Sequence, residues 1–412
     1  MYYSLTSLWP LFFGLSLILV GNGLQGSLLG VRATYEGFDN LTIGIVISGY
    51  YWGFLISSLL TPKMVEKVGH IRVFGALTAI GSACILLHAI FLDPFVWFFL
   101  RILTGFSYAG MYIIAESWLN NISTNKNRGQ ILSIYFIISM ISLSIGQLLL
   151  SLSNPLGFEL FILTSVIISI AAAPILITAS PVPDYTAPEN LSLIKMYRIS
   201  PLAIIGVGMN GISNSMIFGM LAVWSALNDL ESNKIALILV CWSSGPILLQ
   251  WPIGILSDIF DRRIVLTACA LTSFIFATLL WIIDIENFRL FLIIIFFYGG
   301  ISVPIYSLCI SYANDFLSPN QMTAAAGALN LFQSFGMIIG PPLAAVSILF
   351  LGLGAFLPTV AFFHLILGLF ALWRMTQRAP IPQEAQGGYI PVPIKSSSLA
   401  VKLSPEVETN KK

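Results

Sequence analysis

Gly254-Ile-Leu-Ser-Asp258-Ile-Phe-Asp261-Arg262-Arg263 packs four charged side chains into its last six residues and sits between two long apolar runs. Hydrocarbon cannot hold such a cluster, so the stretch is a tight turn at a membrane surface. The first half of the chain carries a weaker copy, Pro62-Lys-Met-Val-Glu66-Lys67-Val-Gly69-His70-Ile-Arg72. At an offset of 192 residues Glu66 falls on Asp258, Gly69 on Asp261 and His70 on Arg262. A charged turn that recurs half a chain apart points to a duplicated helical bundle with a gate-like turn in each half.

The 412 residues are 57% hydrophobic and 9% charged, whereas a soluble domain carries about 25% charged residues. The chain reads as an all-α polytopic membrane protein. Its net charge of +1 gives no reason to expect nucleic acid as a partner. Met1 to Pro10 holds no basic segment, and the apolar run that follows is long enough to span, so it reads as a first helix that stays rather than a cleaved leader. Cys84, Cys241, Cys269 and Cys309 lie inside apolar runs and read as small apolar residues, not disulfides or metal ligands. No phosphate loop, metal cluster or nucleophile–base pair occurs, so no catalytic residue, metal or cofactor is expected and an enzyme is disfavoured.

A span needs about 20 apolar residues. Twelve stretches fit: 6–30, 41–61, 72–92, 94–118, 129–151, 157–179, 200–227, 235–257, 264–283, 288–312, 322–348 and 353–374. They divide the chain into a six-helix bundle over 1–180, a linker over 181–199, a second six-helix bundle over 200–375 and a tail over 376–412. The tail is rich in Pro, Ser, Lys and Glu and, like the polar linker, is expected to be disordered. With both termini cytoplasmic, the inner loops hold Lys63, Lys67, Arg72, Lys126, Arg128, Lys195, Arg198, Arg262 and Arg263, against Arg32, Lys234 and Arg289 outside. That bias sets the orientation, with the plasma membrane (a bacterial inner membrane) as the expected location.

The repeat extends beyond the turns. Asn22-Gly23 recurs as Asn210-Gly211, Ser27 as Ser215, Tyr112 as Tyr306, Asn120 as Asn314 and Gly146 as Gly340, at offsets between 188 and 194. Parallel six-helix repeats of this kind suit secondary transporters. Amides are costly in hydrocarbon unless partnered or facing a wet cavity. Asn22, Gln25, Gln147, Asn210, Asn214, Gln250, Asn330 and Gln333 all lie within apolar spans. Asn22 and Gln25 share one helix face, as do Asn210 and Asn214. Two amide pairs at repeat-related positions could face each other across a cavity and suit a polar or zwitterionic solute. Hydrogen bonding between helices is the alternative reading.

Arg101 is the one basic residue well inside a span, roughly 10 Å below the surface at about 1.5 Å per residue. It reads either as a counter-charge for substrate or as a structural residue paired with backbone carbonyls. Glu116 lies fifteen residues beyond it, roughly 22 Å along the helix, and cannot be its direct partner. No Asp or Glu occupies mid-depth in any span, which disfavours a proton-driven exporter of cations. Glu116 at the end of the fourth span could pair with Lys67 or Arg72, and Asp315 at the end of the tenth with Arg262 or Arg263. Such pairs would form a gate that closes and breaks as the halves rock; static surface pairs are the alternative. The candidate cavity set is Asn22, Gln25, Arg101, Tyr112, Asn210, Asn214, Tyr306, Asn330 and Gln333. The candidate gate set is Glu66, Lys67, Gly69, Arg72, Glu116, Gly254, Asp258, Arg262, Arg263 and Asp315. Gly336, Gly340, Pro341 and Pro342 in the eleventh span suggest close packing and a kink. Tyr50, Tyr51, Trp52 and Trp242 are read either as cavity aromatics or as packing.

Gly254-x-Leu-x-Asp258-x-x-x-Arg262-Arg263 resembles the signature loop of the major facilitator superfamily, which lies between helices 2 and 3 and again between helices 8 and 9. The first copy departs from it, with Pro62 for the opening Gly and Glu66 for the Asp. Arg101-Ile-Leu-Thr-Gly105 is similar to that superfamily's helix 4 motif, which implies a role for the arginine in substrate or proton coupling. Helix 5 ends Gly146-Gln147 and lacks the Gly-Pro of the antiporter motif. The resemblance implies twelve helices in two six-helix pseudo-repeats. Helices 3, 6, 9 and 12 would stand outside, and these four carry none of the intramembrane amides. Arg32-x-x-x-Glu36-Gly-Phe, Val68-Gly-His-Ile-Arg72, Glu116-Ser-Trp-Leu-Asn120, Arg128-Gly129 and Gln250-Trp-Pro-Ile-Gly254 further resemble the YcaD-like bacterial permeases.

The expectation is therefore a monomeric transporter, facilitative or secondary active, that moves a polar small molecule across the bilayer by a rocking switch, with proton or sodium coupling left open. Efflux of amphipathic compounds and a non-transporting sensor on a transporter fold are the alternatives.

Overall fold

The structure, a computed structural model, describes residues 9–123, 127–177, 191–283, 285–383, 386–393 and 400. Among the described residues, twelve helices are long and apolar enough to cross a membrane. In chain order they are α1 Trp9–Tyr35, α2 Asn40–Val68, α3 His70–Ile90, α4 Pro94–Asn121, α5 Arg128–Leu152, α6 Glu159–Ile177, α7 Pro201–Leu227, α8 Ser232–Ile259, α9 Arg262–Ile282, α10 Phe288–Asn314, α11 Gln321–Leu351 and α12 Leu353–Gln377. No strand occurs among the described residues. An even number of spans leaves both ends of the chain on one side, called here the terminal face; the other is the far face.

Polar caps mark where the apolar runs stop. Asp39 accepts the backbone N–H of Thr42 at 3.0 Å ahead of α2. Asp93 does the same for Val96 at 2.9 Å ahead of α4, where Pro94 fills the first helical position. Each supplies an acceptor for one of the orphan N–H donors of a helix start. Large apolar side chains such as Phe95, Ile170, Trp251 and Phe350 point outward, as lipid contact demands.

The duplication seen in the sequence is a duplication of helix crossings. Gly23 of α1 abuts the backbone of α5 at Leu143 and Gly146, and Gly146 in turn abuts Val20. Their repeat partners do the same one half later: Gly211 of α7 abuts α11 at Gln333, and Gly340 abuts Ile212. A second set, absent from the sequence reading, crosses α2 with α4 through Gly53 and Gly105 and α8 with α10 through Gly245 and Gly299. Any side chain at these positions would overlap carbonyl groups of the facing helix, so the backbones pack directly.

The halves meet along α1 with α7, α2 with α11 and α5 with α8, while α3, α6, α9 and α12 pack within their own halves. The glycine contacts on this seam lie toward the far face: Gly30 against Val223, Gly44 against Pro341 and Ala345, and Gly219 against Ile47.

Two expectations of disorder are corrected. Leu193–Ile199 in the linker is a short helix whose N-cap Ser192 accepts from Lys195 N–H at 3.2 Å. Residues 386–393 of the tail form specific hydrogen bonds with α8 and α10. Residues 178–190, 384–385, 394–399 and 401–412 of these segments lie outside the described residues.

Candidate functional site

Between the halves lies a cavity. The first half contributes Leu19 from α1, Tyr51 from α2, Tyr112 from α4, and Tyr135, Ser139, Met140 and Leu143 from α5. The second contributes Asn214, Ser215 and Phe218 from α7, Trp242, Ser243 and Pro246 from α8, Val303 from α10 and Met337 from α11. Pro393 of the tail closes the list. None of these side chains is ionised. Phe218 and Trp242 pack with ring centroids 6.2 Å apart, and Tyr112 stands 6.3 Å from Tyr108. Tyr112 Oη, Asn214 Oδ1 and Trp242 Nε1 are buried with no hydrogen-bond partner in the protein. Leaving such groups unpaired in a dry interior costs about 1–3 kcal/mol each.

The second amide of this region has a different task. α10 is broken between Phe288–Ser302 and Pro304–Asn314 because Pro304 has no N–H to continue the ladder. Asn210 Nδ2 donates to the carbonyl of Ser302 at 2.9 Å, and Asn214 Nδ2 donates to Asn210 Oδ1 at 2.8 Å. Asn210 thus secures the break and holds Asn214 at the cavity wall with its carbonyl oxygen directed away from that bond. In the first half, Asn22 Nδ2 donates to Tyr50 Oη at 2.8 Å.

Of the nine candidate cavity residues, Tyr112 and Asn214 line the cavity. Asn22 and Asn210 support its walls. Gln25, Tyr306, Asn330 and Gln333 are buried in the helices around it without lining it, and both amide atoms of Gln25 lack a partner. Arg101 is only 4% exposed and does not line the cavity. Its guanidinium lies 4.8 Å from the Tyr50 ring centroid, a cation–π contact behind the wall that Tyr51 presents. The face-to-face arrangement of two amide pairs does not occur, because Asn22 and Asn210 are turned to partners within their own halves. Sequence reasoning missed Tyr135, Ser139, Phe218, Ser243 and Met337. Ser215 carried a signal as the repeat partner of Ser27, whereas hydroxyls and aromatics elsewhere in apolar spans are too common to stand out.

The charged turns lie at the terminal face. In the second, Arg262 is 1% exposed and donates to Asp315 Oδ1 at 2.6 Å, to the Ser311 carbonyl at 2.9 Å and to Asp258 Oδ1 at 3.2 Å. Burial raises the Asp315 carboxyl to about 6, even though Arg262 and the N–H of Gly387 pull it down. Asp261 caps α9 and grips Arg263 at 2.6 Å. Burial pushes its carboxyl up, yet the hydrogen bonds from Arg263 hold it below the usual range. In the first turn, Gly69 adopts a φ of +89° and His70 Nε2 lies 3.0 Å from Ser117 Oγ. Glu66, Lys67 and Arg72 are exposed. Glu116 is instead buried and accepts from Tyr135 Oη at 2.8 Å, so its expected pairing with Lys67 or Arg72 is replaced by a contact next to the cavity.

Twelve spans in two repeated bundles, with a cavity on the seam between them, are the architecture of a membrane transporter. The sequence profile of the Major Facilitator Superfamily matches residues 11–205 and again 203–405, and the chain belongs to that superfamily. Among curated relatives it is 25% identical over 336 residues to the uncharacterised MFS-type transporter YcaD of Escherichia fergusonii, covering 81% of this chain and 86% of the relative. YcaD of Escherichia coli gives 25% over 337 residues with the same coverage. Among solved structures, the nucleoside transporter NupG superposes with a TM-score of 0.75 at 15% identity, over 90% of this chain and 99% of that one. A bacterial homologue of the human lysosomal transporter Spinster, inward-facing and unoccupied, gives 0.71 at 12% identity, over 90% and 97%. These relatives and neighbours are transporters, not enzymes.

Proposed function

We propose that this transporter carries a neutral organic solute with a flat ring and several hydroxyl or amide groups, the chemistry of a nucleoside, by alternating access. The observation that carries the reading is the lining itself: five aromatic rings, no ionised side chain, and the unpartnered Tyr112 Oη, Asn214 Oδ1 and Trp242 Nε1. A ring stacks on Tyr, Phe and Trp faces, while a hydroxyl or amide pairs with the three polar atoms. The fold likeness to the nucleoside transporter NupG supports the same class. Asn214 and Trp242 act as the selecting groups, since a site built to hydrogen-bond a solute rejects analogues that leave its polar atoms unpaired.

The terminal face is the cytoplasmic one, because its loops hold Lys63, Lys67, Arg72, Lys195, Arg198, Arg262 and Arg263 against Arg32, Lys234 and Arg289 on the far face. Seam contacts gathered toward the far face then correspond to an inward-facing state. The remaining apolar lining, Leu19, Met140, Leu143 and Met337, supports efflux of amphipathic compounds as a second reading. Uptake into proteoliposomes separates the two. Labelled neutral nucleosides accumulate and are competed by each other if the first reading holds, and Asn214→Ala and Trp242→Ala lower uptake at least tenfold, the factor that about 1.4 kcal/mol produces. Competition only by lipophilic cations, with no nucleoside uptake, would favour the second.

A further inference from the structure

The part of the tail beyond α12 does not lie beside the bundle but climbs into it. Gly387 N–H donates to Asp315 Oδ1 at 3.0 Å, Ile390 N–H to Ser311 Oγ at 3.1 Å and Val392 N–H to Ser307 Oγ at 3.0 Å. These acceptors ascend α10 from its terminal-face end toward its middle. Tyr389 N–H donates to Asp258 Oδ1 at 2.9 Å, and Tyr389 Oη accepts from Gln250 Nε2 at 2.7 Å. Arg262 donates to the Gly387 carbonyl. Ile390 and Val392 are buried, and Pro393 reaches the cavity wall.

Gly254 explains why the ring fits. A Cβ on Gly254 would stand 2.6 Å from Tyr389 Cδ1 and 3.0 Å from its Cε1, and the three atoms nearest to it would all belong to that ring. The opening glycine of the charged turn is thus the floor of a socket for a tail side chain. Three members of the same turn or its partner helix, Asp258, Arg262 and Asp315, hold the backbone around it.

We propose that residues 386–393 are an internal plug: an extended peptide that occupies the path between the cavity and the terminal face and has to withdraw before a solute can pass. Side-chain acceptors on α8 and α10 bind its backbone, as a sheet edge would bind an added strand. The inference rests on the cavity described above but not on the identity of the solute, and its test uses none.

The test is the rate at which a bulky, water-soluble maleimide alkylates a reporter, Ser139→Cys, on the cavity wall. The protein is the full chain in lipid nanodiscs, with the chain lacking the reporter as background. Tail docking predicts slow alkylation in the full chain and a rise of roughly tenfold, the factor about 1.4 kcal/mol of lost docking produces, on removal of residues 384–412. Gly254→Ala and Tyr389→Ala predict the same rise with the tail still attached. A synthetic peptide of residues 386–400 added to the truncated protein slows the reaction again. If truncation impairs folding, the two point variants decide alone. Equal alkylation in the full chain and in Gly254→Ala and Tyr389→Ala would overturn the plug, whatever the solute proves to be.

Discussion

The two charged turns descend from one repeat, yet they are built from different chemistry. In the second turn an arginine, Arg262, is buried against a carboxylate, Asp315. In the first, His70 occupies the matching place and meets a hydroxyl, Ser117, while Trp118 stacks on its ring at 5.8 Å. At the offset of 194 that relates Asn120 to Asn314, Asn121 stands where Asp315 does. Both members of the pair are neutral in the first turn and both are charged in the second, which keeps either turn from burying one charge of the pair without the other. The difference extends to the tail. Gly254 leaves room for Tyr389, whereas its counterpart Pro62 belongs to a turn with exposed Glu66, Lys67 and Arg72. One turn buries its charges in a socket, and the other leaves its charges exposed.

The largest effect expected from breaking this contrast is on the charged side. Asp315→Ala leaves a cation that is 1% exposed with only the longer Asp258 contact as an ion pair and is expected to cost about 3 kcal/mol, read as a large fall in melting temperature of the purified protein. Next comes an attempt to make the first turn like the second. His70→Arg places a buried cation beside Ser117 where a ring now stands, at a cost of about 3 kcal/mol. Adding Asn121→Asp recovers roughly 1–3 kcal/mol of it as a coupling energy, and strict additivity would show that the two sites are not equivalent. Ser117→Ala removes one neutral hydrogen bond and is expected to cost about 1 kcal/mol. The smallest effect belongs to Lys67→Ala, on an exposed side chain without an ion pair, which stays within about 0.5 kcal/mol of the parent.

Much of this was legible in the chain. Composition and run length point to twelve spans, and the recurrence of Asn22-Gly23 and Gly146 as Asn210-Gly211 and Gly340 marks the helix crossings. The paired glycines Gly53 and Gly245, or Gly105 and Gly299, were readable at the same offsets but carry no polar label to draw attention. The site was less legible. Asn210 reads as a cavity amide until the break in α10 at Pro304 appears, because the carbonyl it serves is 92 residues away. Arg101 reads either as a counter-charge or as a structural residue, and the sequence does not reveal the Tyr50 ring 4.8 Å from its guanidinium. The tail reads as disordered because its prolines and glycines cannot form a helix or core alone; its order comes from side chains on α8 and α10 that sequence proximity does not reveal.

The neutrality of the cavity is the claim on which the functional account stands, and thermal stability with added solutes tests it most directly. A panel of neutral nucleosides, zwitterions, organic anions and organic cations is added to the purified protein, to Asn214→Ala and to Arg101→Gln. A solute that binds only the folded state raises its melting temperature by mass action. Stabilisation by neutral nucleosides, lost in Asn214→Ala and kept in Arg101→Gln, is the predicted result. Stabilisation by an anion that disappears in Arg101→Gln would contradict the account and return the arginine to the substrate path.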